Sequence, residues 1–203
     1  RKKDDYLRRL THIEDFHGLI FFNQLTELGV MEEKLLYRGV PVGSLASDQN
    51  KLLRKAALEQ FKKKMVRALL TTDVAARGLD ITGLPYVVNA EVPLSEEAYL
   101  HRSGRTGRMG NEGIVITLVQ DNNLRDLKRL LRPSNITLEE IFLYGGKLQT
   151  EQPTKEDAAP AVNKKYAKTF SGKEQNPEYN KEKIRKKVKN KSKKERNKGA
   201  RRK

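Results

Sequence analysis

TTDVAARGLD, residues 71–80, continues an apolar run that begins at Met65. That run has the length and the aliphatic content of a strand buried on both faces. The residues after it drop the pattern for Thr, Asp, Arg and Gly. A strand that ends this way leaves small and charged side chains at the C-terminal edge of a sheet, the edge where parallel sheets bind ligands. Asp80 follows a Gly–Leu pair; a carboxylate there suits the two hydroxyls of a ribose, or the cap of a following helix. Thr72 and Arg77 bracket a turn and suit a nucleic-acid phosphate, a contact that positions without reading sequence.

Upstream, residues 4–17 read as a helix or helical approach, and LIFF (19–22) as a second doubly buried strand. A helix spans 25–38 despite Gly29, with Gly39 as its C-cap and Pro41 barring continuation. Residues 40–46 form a weaker strand. Ser47, Asp48 and Asn50 start a helix over 50–63, which Lys62, Lys63 and Lys64 finish at the negative end of its dipole. Downstream, 85–89 is a strand, and Ser95 opens a helix with Glu96 and Glu97 in its first turn. A strand at 114–119 follows, then a helix at 123–132, capped by Asp121 or Asn122 and stopped by Pro133. Thr137 and Glu140 form a capping box for another short helix, and Gly145–Gly146 ends the ordered part. Strands alternating with helices predict an α/β domain of three layers, a mostly parallel sheet with helices on both faces.

HRSGRTGR, residues 101–108, comes after the fourth strand. Arg102, Arg105 and Arg108 recur every third residue, with Gly104, Gly107 and Gly110 between them. Guanidinium forks match phosphate oxygens, and on the ligand edge they offset charge on a transferring phosphoryl group. His101 suits a ligand, a base or a hydrogen-bonding bridge. His12 and His17 are distant in sequence, so no metal site is expected. The chain has no GxxxxGK[ST] loop to cradle β and γ phosphates, and no acidic pair after a strand to hold Mg²⁺. Arginines without a phosphate cradle imply half of a composite site. The chain also opens without an initiator Met, so a preceding domain is expected to carry the other half.

The formal net charge is +16. Residues 151–203 hold 19 Lys and Arg against 7 acids, so most of the excess lies in the tail. A basic excess favours polyanionic partners through counterion release. The expected organisation is a domain over 1–148, a disordered linker over 149–180, and a basic low-complexity RNA-binding tail over 181–203. With no cysteine, disulfides and thiolate metal sites are excluded, and a cytoplasmic location fits. No apolar run reaches membrane-spanning length.

These motifs, in this order, resemble the second RecA-like domain of DEAD-box ATP-dependent RNA helicases, bacterial ones in detail. The resemblance covers roughly residues 5–145. LIFFNQ (19–24) matches motif IV, RKAALEQF (54–61) the motif IVa region, TTDVAARGLD motif V, and HRSGRTGR motif VI. It implies that Arg105 and Arg108 reach the γ-phosphate of ATP, bound with Mg²⁺ mainly by the absent first domain. It implies that His101 bridges to that domain's acidic motif and that Arg102 helps hold the domain interface. Asp80 would bind the ribose, and Gly78 would keep the turn tight. Arg54, Thr72 and Arg77 would lie on or near the RNA backbone, with Phe22 and Asn23 lining that side; Arg77 would alternatively serve the inter-domain network. The implied activity is RNA-stimulated ATP hydrolysis that unwinds short duplexes without sequence preference, in the full-length protein and not in this chain alone. Ribosomal or RNA-processing complexes are partners in keeping with it. Lys51 stands where the family usually has Gln, and Ala46–Ser47 replaces a common His–Gly pair. The alternatives are a DNA-acting helicase or translocase of the same superfamily and a non-enzymatic nucleic-acid-binding module.

Overall fold

The computed structural model describes residues 3–46, 51–107 and 112–152. The expected helix start at Ser47–Asn50, Arg108 and the tail lie outside the described residues. Helix α1 (Lys3–Leu10) precedes strand β1 (Gly18–Phe22); α2 (Leu25–Tyr37), β2 (Val42–Ser44), α3 (Lys51–Lys62) and β3 (Ala68–Thr72) follow. A one-turn helix α4 (Asp73–Ala76) leads to β4 (Tyr86–Asn89), α5 (Glu96–Ser103) and β5 (Ile114–Thr117). A 3-10 turn (Asp121–Asn123), α6 (Leu124–Leu131) and an antiparallel pair, β6 (Phe142–Tyr144) and β7 (Lys147–Gln149), complete the described chain.

Strands β1 to β5 form one sheet in the order β2-β3-β1-β4-β5, and every pairing is parallel. Parallel neighbours cannot be joined by a tight turn, so helices carry the crossovers. β1 and β3 are buried along their whole length, which is why they read as unbroken apolar runs. Alternate residues of β1 serve opposite layers. Ile20 and Phe22 pack with Leu7, Leu10, Leu28, Met31 and Leu35 from α1 and α2. Leu19 and Phe21 pack with Phe61, Ala75, Ala76 and Ile81 on the other side. The result is a three-layer RecA-like fold. Gly18 lets β1 approach β4 closely: a Cβ there would stand 2.3 Å from the Tyr86 carbonyl oxygen.

Three expectations about the elements are corrected. The first helix stops at Leu10, and residues 11–15 make turns whose carbonyls receive Arg67. The capping-box helix at Thr137 does not form. Instead β6 and β7 make a hairpin whose turn is Gly145–Gly146, both at positive φ (57° and 78°), as a two-residue turn of this kind requires. Leu143 and Leu148 lay this hairpin against the α1 side of the core. The glycine pair is thus a turn within the ordered part, not its end. Among the described residues no helix is long and apolar enough to cross a membrane.

Candidate nucleotide and nucleic-acid interface

After β1 the chain turns toward β2; after β4 it turns the other way, toward β5. β1 and β4 are neighbours, so a crevice opens at their C-terminal ends, the usual ligand position in such sheets. Asn23, Asn89, Glu91 and the whole Thr72–Asp80 stretch lie along this edge.

Thr72 ends β3 and caps α4: its hydroxyl accepts from the Ala75 N–H at 3.3 Å. α4 is one turn, and Gly78 then takes φ +70°, a backbone conformation other residues resist. Asp80 emerges exposed. Ser95 caps α5 by accepting from Ala98 N–H at 3.1 Å, with Glu96 and Glu97 in the first turn. The helical phase then sends Tyr99 and Arg102 inward and leaves His101 outside, 3.9 Å from Glu97.

Arg102 is 1% exposed. Its Nε and Nη2 donate to both carboxylate oxygens of Asp73, at 2.8 and 2.7 Å. Nη2 also donates to Asn23 Oδ1 at 2.8 Å, and Nη1 to Asn89 Oδ1 at 3.2 Å. The guanidinium lies over the Phe21 ring, 5.2 Å from its centre. Asn89 in turn donates to the Thr117 hydroxyl at 3.1 Å. One buried cation therefore joins the ends of β1, β3 and β4. A planar fork suits that task, since its edge donors meet oxygen acceptors while a face lies over an aromatic ring.

Arg105 is half-buried just after α5. It donates to the Leu79 carbonyl at 2.8 Å and the Ala76 carbonyl at 3.3 Å. The same loop is pinned a second time, because Leu84 N–H donates to the Arg105 carbonyl at 3.1 Å and the Thr106 hydroxyl donates to the Leu84 carbonyl. The two arginine- and glycine-bearing stretches thus share one rigid loop cluster, with Asp80 at its rim.

A profile of the helicase conserved C-terminal domain matches residues 2–110. The chain belongs to the DEAD-box-type RNA helicase family, as its C-terminal RecA-like domain. Among curated relatives, a probable ATP-dependent RNA helicase YfmL of Bacillus subtilis is 41% identical over 151 residues, covering 74% of this chain and 40% of that protein. The DEAD-box ATP-dependent RNA helicase CshC of Bacillus cereus is 35% identical over 173 residues, covering 85% and 43%. The chain spans less than half the length of these relatives. Among solved structures, the C-terminal domain of the DEAD-box protein Dbp5 matches with a TM-score of 0.59 and 30% identity, covering 66% of this chain and 78% of that one. Escherichia coli SrmB, solved bound to regulator of ribonuclease activity A, matches with a TM-score of 0.57 and 29% identity, covering 64% and 78%.

The helicase fold gathers Asn23, Thr72, Arg77, Gly78, Asp80, His101 and Arg105 along one edge, but not all as surface groups. Phe22 is fully buried, in the cluster with Leu28 and Met31, so its ring lines the core and not the surface. The Thr72 hydroxyl is the α4 cap. Arg54 reaches from α3 to donate to the Ala75 carbonyl. Arg77 is exposed at the end of α4. Sequence reading missed Asp73, Asn89 and Glu91. The first two are visible only as polar residues at strand ends, and burial of an arginine has no sequence signature. Glu91 accepts from Lys3 Nζ and from the Asn23 backbone N–H, both at 2.9 Å. Burial alone would raise the Glu91 carboxyl, but Lys3, the Asn23 amide and the Arg102 charge outweigh it and hold it below the usual range.

Proposed function

We propose that this chain is the C-terminal half of an ATP-dependent RNA helicase that separates short RNA duplexes. The observation that carries the reading is the shared loop cluster, in which Arg105 is hydrogen-bonded to the stretch that ends in Asp80. Its donor set fits one edge of a nucleoside triphosphate. Arg105 and Arg108 would donate to γ-phosphate oxygens and offset charge there. The carbonyls that now accept from Arg105 are neutral, and a phosphate oxygen makes the stronger, charge-assisted bond. Asp80 would hold the ribose and His101 would bridge to the other domain. Arg102 serves from inside, as the strut beneath these loops. ATP supplies the γ-phosphate whose hydrolysis resets the enzyme, and its Mg²⁺ would be held mainly by the preceding domain.

RNA would run past Asn23, Arg54 and Arg77, contacted through its backbone and 2′-hydroxyls and not its sequence. Phe22 and Thr72 support this surface from below, one anchoring the strand end and the other capping α4. The basic tail would add affinity, and the cytoplasm and RNA-processing complexes are the expected setting. The test is the ATPase rate of the full-length protein with and without RNA, for wild type and Arg105→Ala. RNA-stimulated turnover that falls at least about a hundredfold in the variant is expected, the usual cost of removing a group that stabilises transition-state charge. Turnover indifferent to RNA and to the substitution would overturn the reading, whereas stimulation by DNA alone would favour the translocase alternative.

A further inference from the structure

Glu91 lies just beyond β4 and belongs to none of the motifs described above. Its side chain is 20% exposed, and both its oxygens are engaged. Oε1 takes Lys3 Nζ; Oε2 takes the backbone N–H of Asn23. Asn23 is then fixed at every polar atom of its side chain. Its Nδ2 donates to the Val92 carbonyl at 2.9 Å, and its Oδ1 accepts from Arg102. Arg102 continues to Asp73. An unbroken run of polar contacts therefore leads from Lys3, at the start of α1, through Glu91, Asn23 and Arg102 to the residue after β3.

The chemistry calls for an anion at position 91. Two donors converge on it, one of them a full charge, and a neutral amide of the same length keeps one acceptor while losing the ionic half. The contacts also make a hierarchy. Asp4 next to Lys3 is itself held by Arg38 at 2.6 Å, so the start of α1 is fixed independently of Glu91. Loss of Glu91 should therefore free the loop after β1 rather than unfold the helix.

We propose that Glu91 is a positioning residue for RNA: it fixes the main chain at Asn23 and, with Lys3, ties the entrance of the domain to the RNA side of the site. This rests on the reading of the site given above. The assay is ATP hydrolysis by the full-length protein titrated with a single-stranded RNA oligonucleotide, for wild type, Glu91→Gln, Lys3→Met and the double variant, with melting temperature measured for each. Glu91→Gln is expected to raise the RNA concentration for half-maximal stimulation about tenfold, the order expected for one charge-assisted hydrogen bond, with kcat at saturating RNA changing less than about twofold. Lys3→Met shifts it the same way by about threefold, and the double variant is no worse than Glu91→Gln, because both act through one contact. A folded Glu91→Gln protein with wild-type half-stimulation, whatever its melting temperature, would mean that Glu91 only staples α1. A loss confined to kcat would overturn the proposal equally. Absence of RNA stimulation in wild type would overturn this proposal and the functional reading together, a result distinct from either.

Discussion

Arg102 and Arg105 sit three residues apart and meet opposite fates. Helical phase turns the first into the core, where a carboxylate and two amide oxygens surround it; the second leaves the helix and rests on two carbonyls. One is held by a carboxylate within the core, the other only by neutral carbonyls. Burial has a titratable consequence at His17. Its ring stacks on Phe61 with centres 4.0 Å apart. Burial lowers its pKa from the ordinary 6.5, and the charges of Lys64 and Arg67 lower it further. In the unfolded chain the imidazole protonates first, so the unfolded state binds more protons below pH 6.5. The stabilisation is complete above that value and is lost as pH falls toward the folded pKa. Wild type should therefore lose melting temperature between about pH 7 and pH 5, while His17→Phe, which keeps the stack, should be nearly flat there. Asp5 and Glu91, both lowered, begin to cost stability only below their ordinary 3.8 and 4.5, so they leave this window clean. Parallel melting curves for the two proteins across the window would remove His17 from the account.

Helices α2 and α3 end in the same motif with different residues. After α2, Gly39 takes φ +74° while its N–H reaches the Leu36 carbonyl and that of Val40 reaches Leu35. After α3, Lys64 takes φ +56° while its N–H reaches Phe61 and that of Met65 reaches Gln60. A lysine in the left-handed region carries a steric cost that glycine lacks. Lys64→Gly should stabilise the domain by about 0.5–1 kcal/mol in urea unfolding, the steric relief exceeding the added chain entropy. A destabilised variant would show that the Lys64 side chain holds contacts worth more than its strain. The first of these caps was legible, because a glycine followed by proline is an explicit stop; the second was not, because lysines at a helix end read only as charge. The same contrast runs through the molecule. GLIFF and ALLTT were legible as strands since burial on both faces leaves a continuous apolar run. α4 escaped because one helical turn has no periodicity to read. At 137–140 the capping box misled, and the stronger signal was Gly145–Gly146 between two short strands, the apolar Phe142–Tyr144 and the alternating Lys147–Gln149. At the site, the edge followed from a polar stretch set directly after a strand, and Arg102 and Arg105 drew notice by their spacing. Which arginine is buried did not follow, because that depends on the phase of α5 against a sheet.

On the proposed reading, the whole molecule would separate two kinds of attraction for a polyanion. Residues 1–150 carry a net charge of only +4, and among the described residues there many arginines are bonded within the fold. Residues 181–203 hold 14 Lys and Arg against 2 acids and carry most of the protein's excess charge. A domain of this kind would select RNA by shape at short range, whereas a dense cationic segment attracts it at long range and through ion release. The two are separable by salt. Removing residues 181–203 from the full-length protein should weaken binding to single-stranded RNA most at low ionic strength. The slope of log affinity against log salt should become shallower by about 0.7 for each phosphate that the tail had neutralised. The two proteins should then converge in affinity as salt rises, because what remains in common is the geometric site. A truncation that lowers affinity by the same factor at every salt concentration would refute this division: the tail would then act by interactions other than counterion release, or by supporting the domain itself.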